Sequence, residues 1–106
     1  MTADKVWIVD DDRSIRWVLE KALMQEGLEA TAFEDAQTLL NKLGKEKPHA
    51  IVTDIRMPGI DGLTLLAKIR LEHPDVPVIV MTAHSDLDSA VSSYQGGAFE
   101  YLPKPF

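Results

Sequence analysis

Ala50-Ile51-Val52-Thr53-Asp54-Ile55-Arg56-Met57-Pro58-Gly59 decides the reading of this chain. Four uncharged residues, three of them apolar, run into a single acid, and a Pro-Gly turn follows at once. A short apolar run closed by turn residues reads as a buried strand, with Asp54 at its C-terminal tip. In open parallel α/β sheets, ligands bind beyond that edge, so a lone carboxylate there is a candidate site.

Outward from this strand the chain alternates. Toward the N-terminus, Val6-Trp7-Ile8-Val9 is a β-type run ending in Asp10, Asp11 and Asp12. Ser14 is suited to cap a helix, with Asp12 near its positive end. Ile15, Val18, Leu19, Ala22 and Leu23 then fall on one helical face, and Gly27 supplies a left-handed stop. Leu28 to Phe33 is a weaker strand. Asp35 caps a second helix carrying Leu39, Leu40 and Leu43 and ending at Gly44. Toward the C-terminus, Gly59-Ile60-Asp61-Gly62 is turn chemistry that leads into a helix with Leu63, Leu66 and Ile69 on one face. Pro74 ends it. Val76 to Met81 is the most apolar run, followed by Thr82; Pro77 lacks a donor and belongs at the start of this strand.

Ser85 or Asp86 caps a fourth helix whose apolar face is thin (Leu87, Ala90, Val91, Tyr94) and rich in serine. Gly96-Gly97 ends it, and Phe99 to Leu102 is a last strand. The β-α-β-α-β-α-β-α-β sequence predicts a doubly wound α/β fold, a five-stranded parallel sheet with helices on both faces. Order 2-1-3-4-5 puts the most apolar strands in the middle. The first helix then covers one face and the other three cover the opposite face. The chain stops at Phe106, where a fifth helix would begin. Residues 1–106 are therefore expected to be one domain cut before its last helix, or one whose open face a partner chain closes. The exposed sheet face and the fourth helix are the surfaces offered for a dimer.

Composition narrows the classes of function. Apolar residues at 45% and charged residues at 26% are the mix of a globular core rather than of disorder. No apolar run reaches the roughly 20 residues of a membrane span, and no secretory leader is visible. With 0 cysteines there is no disulfide framework or thiolate chemistry, which favours a cytoplasmic location. A net charge of -6 argues against direct contact with a phosphate backbone, so any action on DNA belongs to another domain.

Every strand but the second brings a polar residue to the same edge: Asp10 to Asp12 from the first, Asp54 from the third, Thr82 from the fourth, Lys104 beyond the fifth. Crowded carboxylates repel, and an all-oxygen set favours a hard ion such as Mg²⁺. With a hydroxyl and an ammonium added, the set suits a phosphoryl group, with Asp54 as nucleophile. Taken singly the same residues have plainer readings. Asp12 caps the next helix, Thr82 fills a strand, Lys104 is a solvated surface residue, and Arg16 and Arg56 are surface ion-pair partners.

Val9-Asp-Asp-Asp12 with Ile15-Arg16, Thr53-Asp-Ile-Arg-Met-Pro-Gly-Ile-Asp-Gly62, Met81-Thr-Ala83 and Tyr101-Leu-Pro-Lys-Pro-Phe106 together resemble the receiver domain of two-component response regulators, from Val6 to Phe106. Ser14 to Glu20 and Met81 to Asp88 resemble more narrowly the nitrogen-regulation NtrC type, activators in which a receiver controls an ATPase working on σ54 RNA polymerase. The resemblance implies a flavodoxin-like fold, Asp54 as phosphoacceptor and Mg²⁺ as cofactor. Asp11 would bind the metal directly, Asp10 through water, and Arg56 through its backbone carbonyl; Asp12 is adjacent and able to substitute. Thr82 would hydrogen-bond the phosphoryl group, Lys104 would pair with it, and Tyr101 would report the state of Thr82. His84 flanks the pocket, either tuning phosphoryl lifetime or standing as a plain loop residue. The implied partners are a sensor histidine kinase and the output ATPase and DNA-binding domains. Such a domain catalyses only its own phosphorylation and dephosphorylation.

Two other classes fit less well. A phosphatase of the haloacid-dehalogenase class wants a second Asp two residues after its nucleophile, where this chain has Arg56. A dinucleotide-binding module wants Gly-x-Gly-x-x-Gly after the first strand, where this chain has three acids.

Overall fold

The computed structural model describes residues 4–55, 59–82 and 100–103, with backbone alone for Thr82 and 100–103. In chain order the elements are β1 (Lys5–Val9), α1 (Arg13–Gln25), β2 (Glu29–Phe33), α2 (Ala36–Leu43), β3 (Ala50–Asp54), α3 (Gly62–Glu72), β4 (Val78–Thr82) and β5 (Glu100–Pro103). The sheet is parallel in the order β2-β1-β3-β4-β5, as the alternation of apolar runs predicts. The expected fourth helix, 85–94, lies outside the described residues.

Strands covered on both sides read as near-continuous apolar runs, as Val6–Val9 of β1 and Ala50–Val52 of β3 do. Trp7, Val9, Ile51, Val78 and Val80 face α2 and α3, packing with Phe33, Leu39, Leu43, Leu65, Leu66 and Ile69. Val6, Val52 and Met81 face the other way, beneath Ile15, Leu19 and Leu23 of α1. Trp7 meets Phe33 edge to face at 5.5 Å, and the Lys42 ammonium lies 5.7 Å from the Trp7 ring centre. Trp7 is thus a core residue. Trp17 is exposed on α1, with Lys21 over its ring.

Two local expectations are corrected and a third is extended. Asp12, not Ser14, is the N-cap of α1: its Oδ1 accepts the N–H of Ser14 at 2.8 Å and of Ile15 at 3.3 Å. Both residue types cap well. Asp12 prevails because it holds the extended backbone that capping needs, whereas Ser14 is already helical. On α1 the packed row is Ile15, Leu19 and Leu23, while Val18 and Ala22 are exposed. A single i, i+4 row meets the sheet there, and the flanking row turns away. On α3 the buried positions are Gly62, Leu65, Leu66 and Ile69, and Leu63 is half-buried. Apolar residues occupy both flanks of that helix; the close seat of Gly62 against β3 selects the face.

The helix ends repeat one chemistry. Asp12, Asp35 and Asp61 cap α1, α2 and α3, each placing a carboxylate at a positive helix end. Gly27, at φ +78°, closes α1 in a Schellman motif, with Leu28 N–H on the Leu23 carbonyl at 3.0 Å and Gly27 N–H on that of Met24 at 3.0 Å. That motif consumes Leu28, so β2 begins at Glu29.

The Asp35 cap has a pH signature. The Thr38 N–H, and after it the Thr38 hydroxyl, donate to Asp35 and hold its carboxyl below the usual aspartate range. A depressed folded-state value contributes stability that is whole above the ordinary carboxylate range and is lost as pH falls through the lowered value. Asp35→Ala should therefore melt earlier than the parent at neutral pH, and the gap should close in acid. Melting curves across that range check this; a gap independent of pH would contradict it.

Candidate functional site

The site is assembled by register. Val9 of β1 pairs with Thr53 of β3, so the next residues, Asp10 and Asp54, stand side by side at the edge of the sheet. On the other flank Asp54 pairs with Met81 and Thr82 with Pro103, so the end of β4 stands one residue above Asp54. All these termini open on the edge where the Asp12, Asp35 and Asp61 caps lie.

Asp10, Asp11 and Asp54 each present a carboxylate oxygen within 4.8 Å of the others. Asp10 is fully buried and Asp54 is 9% exposed, while Asp11 faces solvent. Two negative charges about 5 Å apart repel by roughly 3 kcal/mol even at an effective dielectric constant near 20. An arrangement that keeps three acids so close is complementary to a cation. The donors are hard carboxylates, the chain has no Cys, and among the described residues no His joins the group, which is the ligand chemistry of Mg²⁺ or Ca²⁺ rather than of a soft metal.

The two buried acids are held by neighbouring backbone. Asp54 Oδ1 accepts the Ile55 N–H at 2.9 Å, and Asp10 Oδ1 accepts the Asp12 N–H at 2.9 Å. Asp12 is turned into the cap of α1, so the grouping is Asp10, Asp11 and Asp54; the plain reading of Asp12 is the one the geometry supports. The sequence order of three acids left that choice open.

Three residues that sequence reasoning passed over shape the site. The Thr53 hydroxyl, fully buried, donates to the Asp54 carbonyl at 3.0 Å. Gly62 donates its N–H to the Ile55 carbonyl at 2.8 Å and brings the start of α3 against the Asp54 backbone. A Cβ at Gly62 would overlap the Asp54 carbonyl oxygen and lie 2.8 Å from both the Asp54 carbonyl carbon and the Ile55 Cα. The Asp61-Gly62 dipeptide was the available signal, read only as a turn. Arg16, expected as a surface ion-pair partner, instead donates from Nη1 to the Asp10 carbonyl at 2.7 Å. Its donor reaches the carbonyl of the first residue after β1.

Arg56, His84, Lys104 and the side chains of Thr82 and Tyr101 lie outside the described residues. Among the described residues, no helix is long and apolar enough to cross a membrane.

The family model "Response regulator receiver domain" matches residues 6–106. The DNA-binding transcriptional regulator NtrC of Escherichia coli K12 is 61% identical over 101 residues, covering 95% of this chain and 22% of that protein. The C4-dicarboxylate transport transcriptional regulatory protein DctD of Pseudomonas aeruginosa is 41% identical over 96% of this chain and 22% of its own length. This chain thus spans about a fifth of the curated relatives it matches. Among solved structures, the BeF3-activated receiver domain of Nitrogen Regulatory Protein C is 59% identical with a TM-score of 0.83, covering 100% of this chain and 86% of that one. NtrX from Brucella abortus is 34% identical with a TM-score of 0.93, covering 99% of this chain and 24% of its own.

Proposed function

Because this chain belongs to the response regulator receiver domain family, we propose that Asp54 accepts a phosphoryl group from a sensor histidine kinase and that Mg²⁺ is the cofactor. The observation that carries this reading is the convergence of the Asp10, Asp11 and Asp54 carboxylates at the C-terminal edge of the sheet. Asp11 and Asp54 would hold the ion directly, Asp10 through water, with the Arg56 carbonyl as a further ligand. When bound, Mg²⁺ neutralises the oxygens of the incoming phosphoryl group.

The Ile55 N–H donates to Asp54 Oδ1 and helps to orient the carboxylate that attacks. An O–P bond forms in line as the donor's P–N bond breaks, or its P–O bond in acetyl phosphate, and the leaving group departs with that electron pair. The product is an acyl phosphate, which water later hydrolyses, so the domain catalyses only its own phosphorylation and dephosphorylation. The Lys104 ammonium pairs with the phosphoryl group and the Thr82 hydroxyl donates to it. Movement of Thr82 makes room for Tyr101, which shifts the segment 85–94 together with β5. The thin, serine-rich apolar face of that segment suits a low-cost shift. Residues beyond this receiver would supply the ATPase and DNA-binding outputs, and the whole would work in the cytoplasm without nucleic-acid contact by this domain.

Intact mass after incubation with acetyl phosphate and Mg²⁺ tests the proposal. One phosphoryl adduct is expected, dependent on both reagents and abolished by chelator. No adduct, or turnover of a phosphomonoester in its place, would overturn it. The switch has its own readout. Amide shifts on adding beryllofluoride and Mg²⁺ should concentrate between Thr82 and Tyr101, and an unchanged segment would rule out that output surface.

A further inference from the structure

We infer that Arg16 is a positioning residue for the acid pair, holding the Asp10-Asp11 peptide so that the Asp11 carboxylate meets Asp10 and Asp54. The inference rests on the metal reading of that cluster. β1 ends at Val9, and the Asp10 N–H still donates to the Phe33 carbonyl at 3.2 Å. Asp11 follows with no strand to set its course. The Arg16 guanidinium reaches back six residues and donates to the Asp10 carbonyl at 2.7 Å. That carbonyl and the Asp11 N–H share one planar peptide, so anchoring the oxygen fixes the plane from which Asp11 departs. The Asp12 N–H on Asp10 Oδ1 pins the far side of the same turn, and the Arg16 N–H on the Asp12 carbonyl at 3.1 Å ties both to α1.

Two further features favour this role over helix stability. Arg16 lies near the start of α1, where the macrodipole disfavours a cation, and the first turn contains no acid. Arg16 is also half-buried, whereas the nearby Arg13 and Trp17 are exposed. A guanidinium stays charged at every working pH and directs its donors from a rigid plane, so its hold on a carbonyl is one that Lys reproduces only in part.

The test is Mg²⁺ affinity without any phosphodonor, by calorimetric titration of the unphosphorylated parent, Arg16→Gln and Arg16→Lys, with melting temperatures alongside. Residues that orient ligands typically change metal affinity by 10–100-fold. Arg16→Gln should raise the Mg²⁺ Kd by about tenfold, and Arg16→Lys by less. Acetyl phosphate labelling of Arg16→Gln should be slow at low Mg²⁺ and recover at saturating Mg²⁺. A Kd within about twofold of the parent in both variants, even with a lowered melting temperature, would overturn the positioning role alone. A parent that binds no Mg²⁺ would overturn the metal reading and this inference with it.

Discussion

Asp54→Asn should give no acyl phosphate with acetyl phosphate and Mg²⁺ while remaining folded. The amide oxygen still accepts the Ile55 N–H, so the local bond that seats Asp54 survives. The amide is a far weaker nucleophile than the carboxylate, and the in-line attack has no substitute nearby. Asp10 is fully buried and its Oδ1 is engaged by the Asp12 N–H. Asp11, though exposed, is expected to be committed to the metal. The loss should therefore be complete within detection rather than partial. The substitution also removes one member of the cation-binding set, so Mg²⁺ should raise the melting temperature of the variant less than that of the parent. Labelling that persists at the parental level would move the acceptor to another residue.

Gly62→Ala should be the most damaging single methyl in the described part of the chain. Overpacking costs about 1–3 kcal/mol where neighbours can yield, and here every atom in the way is backbone of Asp54 or Ile55. A loss of about 3 kcal/mol is expected, which is a large share of the 5–15 kcal/mol that holds a typical domain together. Relief requires α3 to move away from β3, and that movement displaces the Asp54 backbone. Misplacement by about 1 Å can cost on the order of 100-fold in rate, so labelling should fall even in the fraction that remains folded. Gly59→Ala separates this from a general effect of losing glycine. Gly59 has φ +77° and open space around its Cβ direction, so only the left-handed penalty of about 1–2 kcal/mol applies. Chemical denaturation with acetyl phosphate labelling decides between them, and equal behaviour of the two variants would contradict the account.

The fold was legible because its signals are strong and local. Val6 to Val9, Ala50 to Val52 and Val76 to Met81 are uncharged and nearly all apolar without alternation, and between turn residues that pattern suits strands buried on both faces. The site was legible for a related reason. The acids follow those runs directly, so identifying the strands places Asp10, Asp11 and Asp54 on one edge. What escaped depended on contacts between segments distant in sequence or on choices between equivalent residues. Asp12 and Ser14 both cap well, and only the backbone angles distinguish them. Leu63, Leu65 and Leu66 are equally apolar, and only the seat of Gly62 against Asp54 selects the buried face. Arg16 carries a charge, which suggested an ion pair, yet its donor went to a carbonyl that no sequence pattern reveals.

The most direct test of Asp54 as phosphoacceptor is to locate the phosphoryl group by residue. Hydride reduction of the phosphorylated protein converts an acyl phosphate to the corresponding alcohol, and peptide mass spectrometry then identifies the reduced side chain. The account predicts that the reduced residue is Asp54 alone, and only in samples given both phosphodonor and Mg²⁺. Reduction at Asp10, Asp11 or Asp12, or a stable phosphoryl group on another residue type, would contradict it.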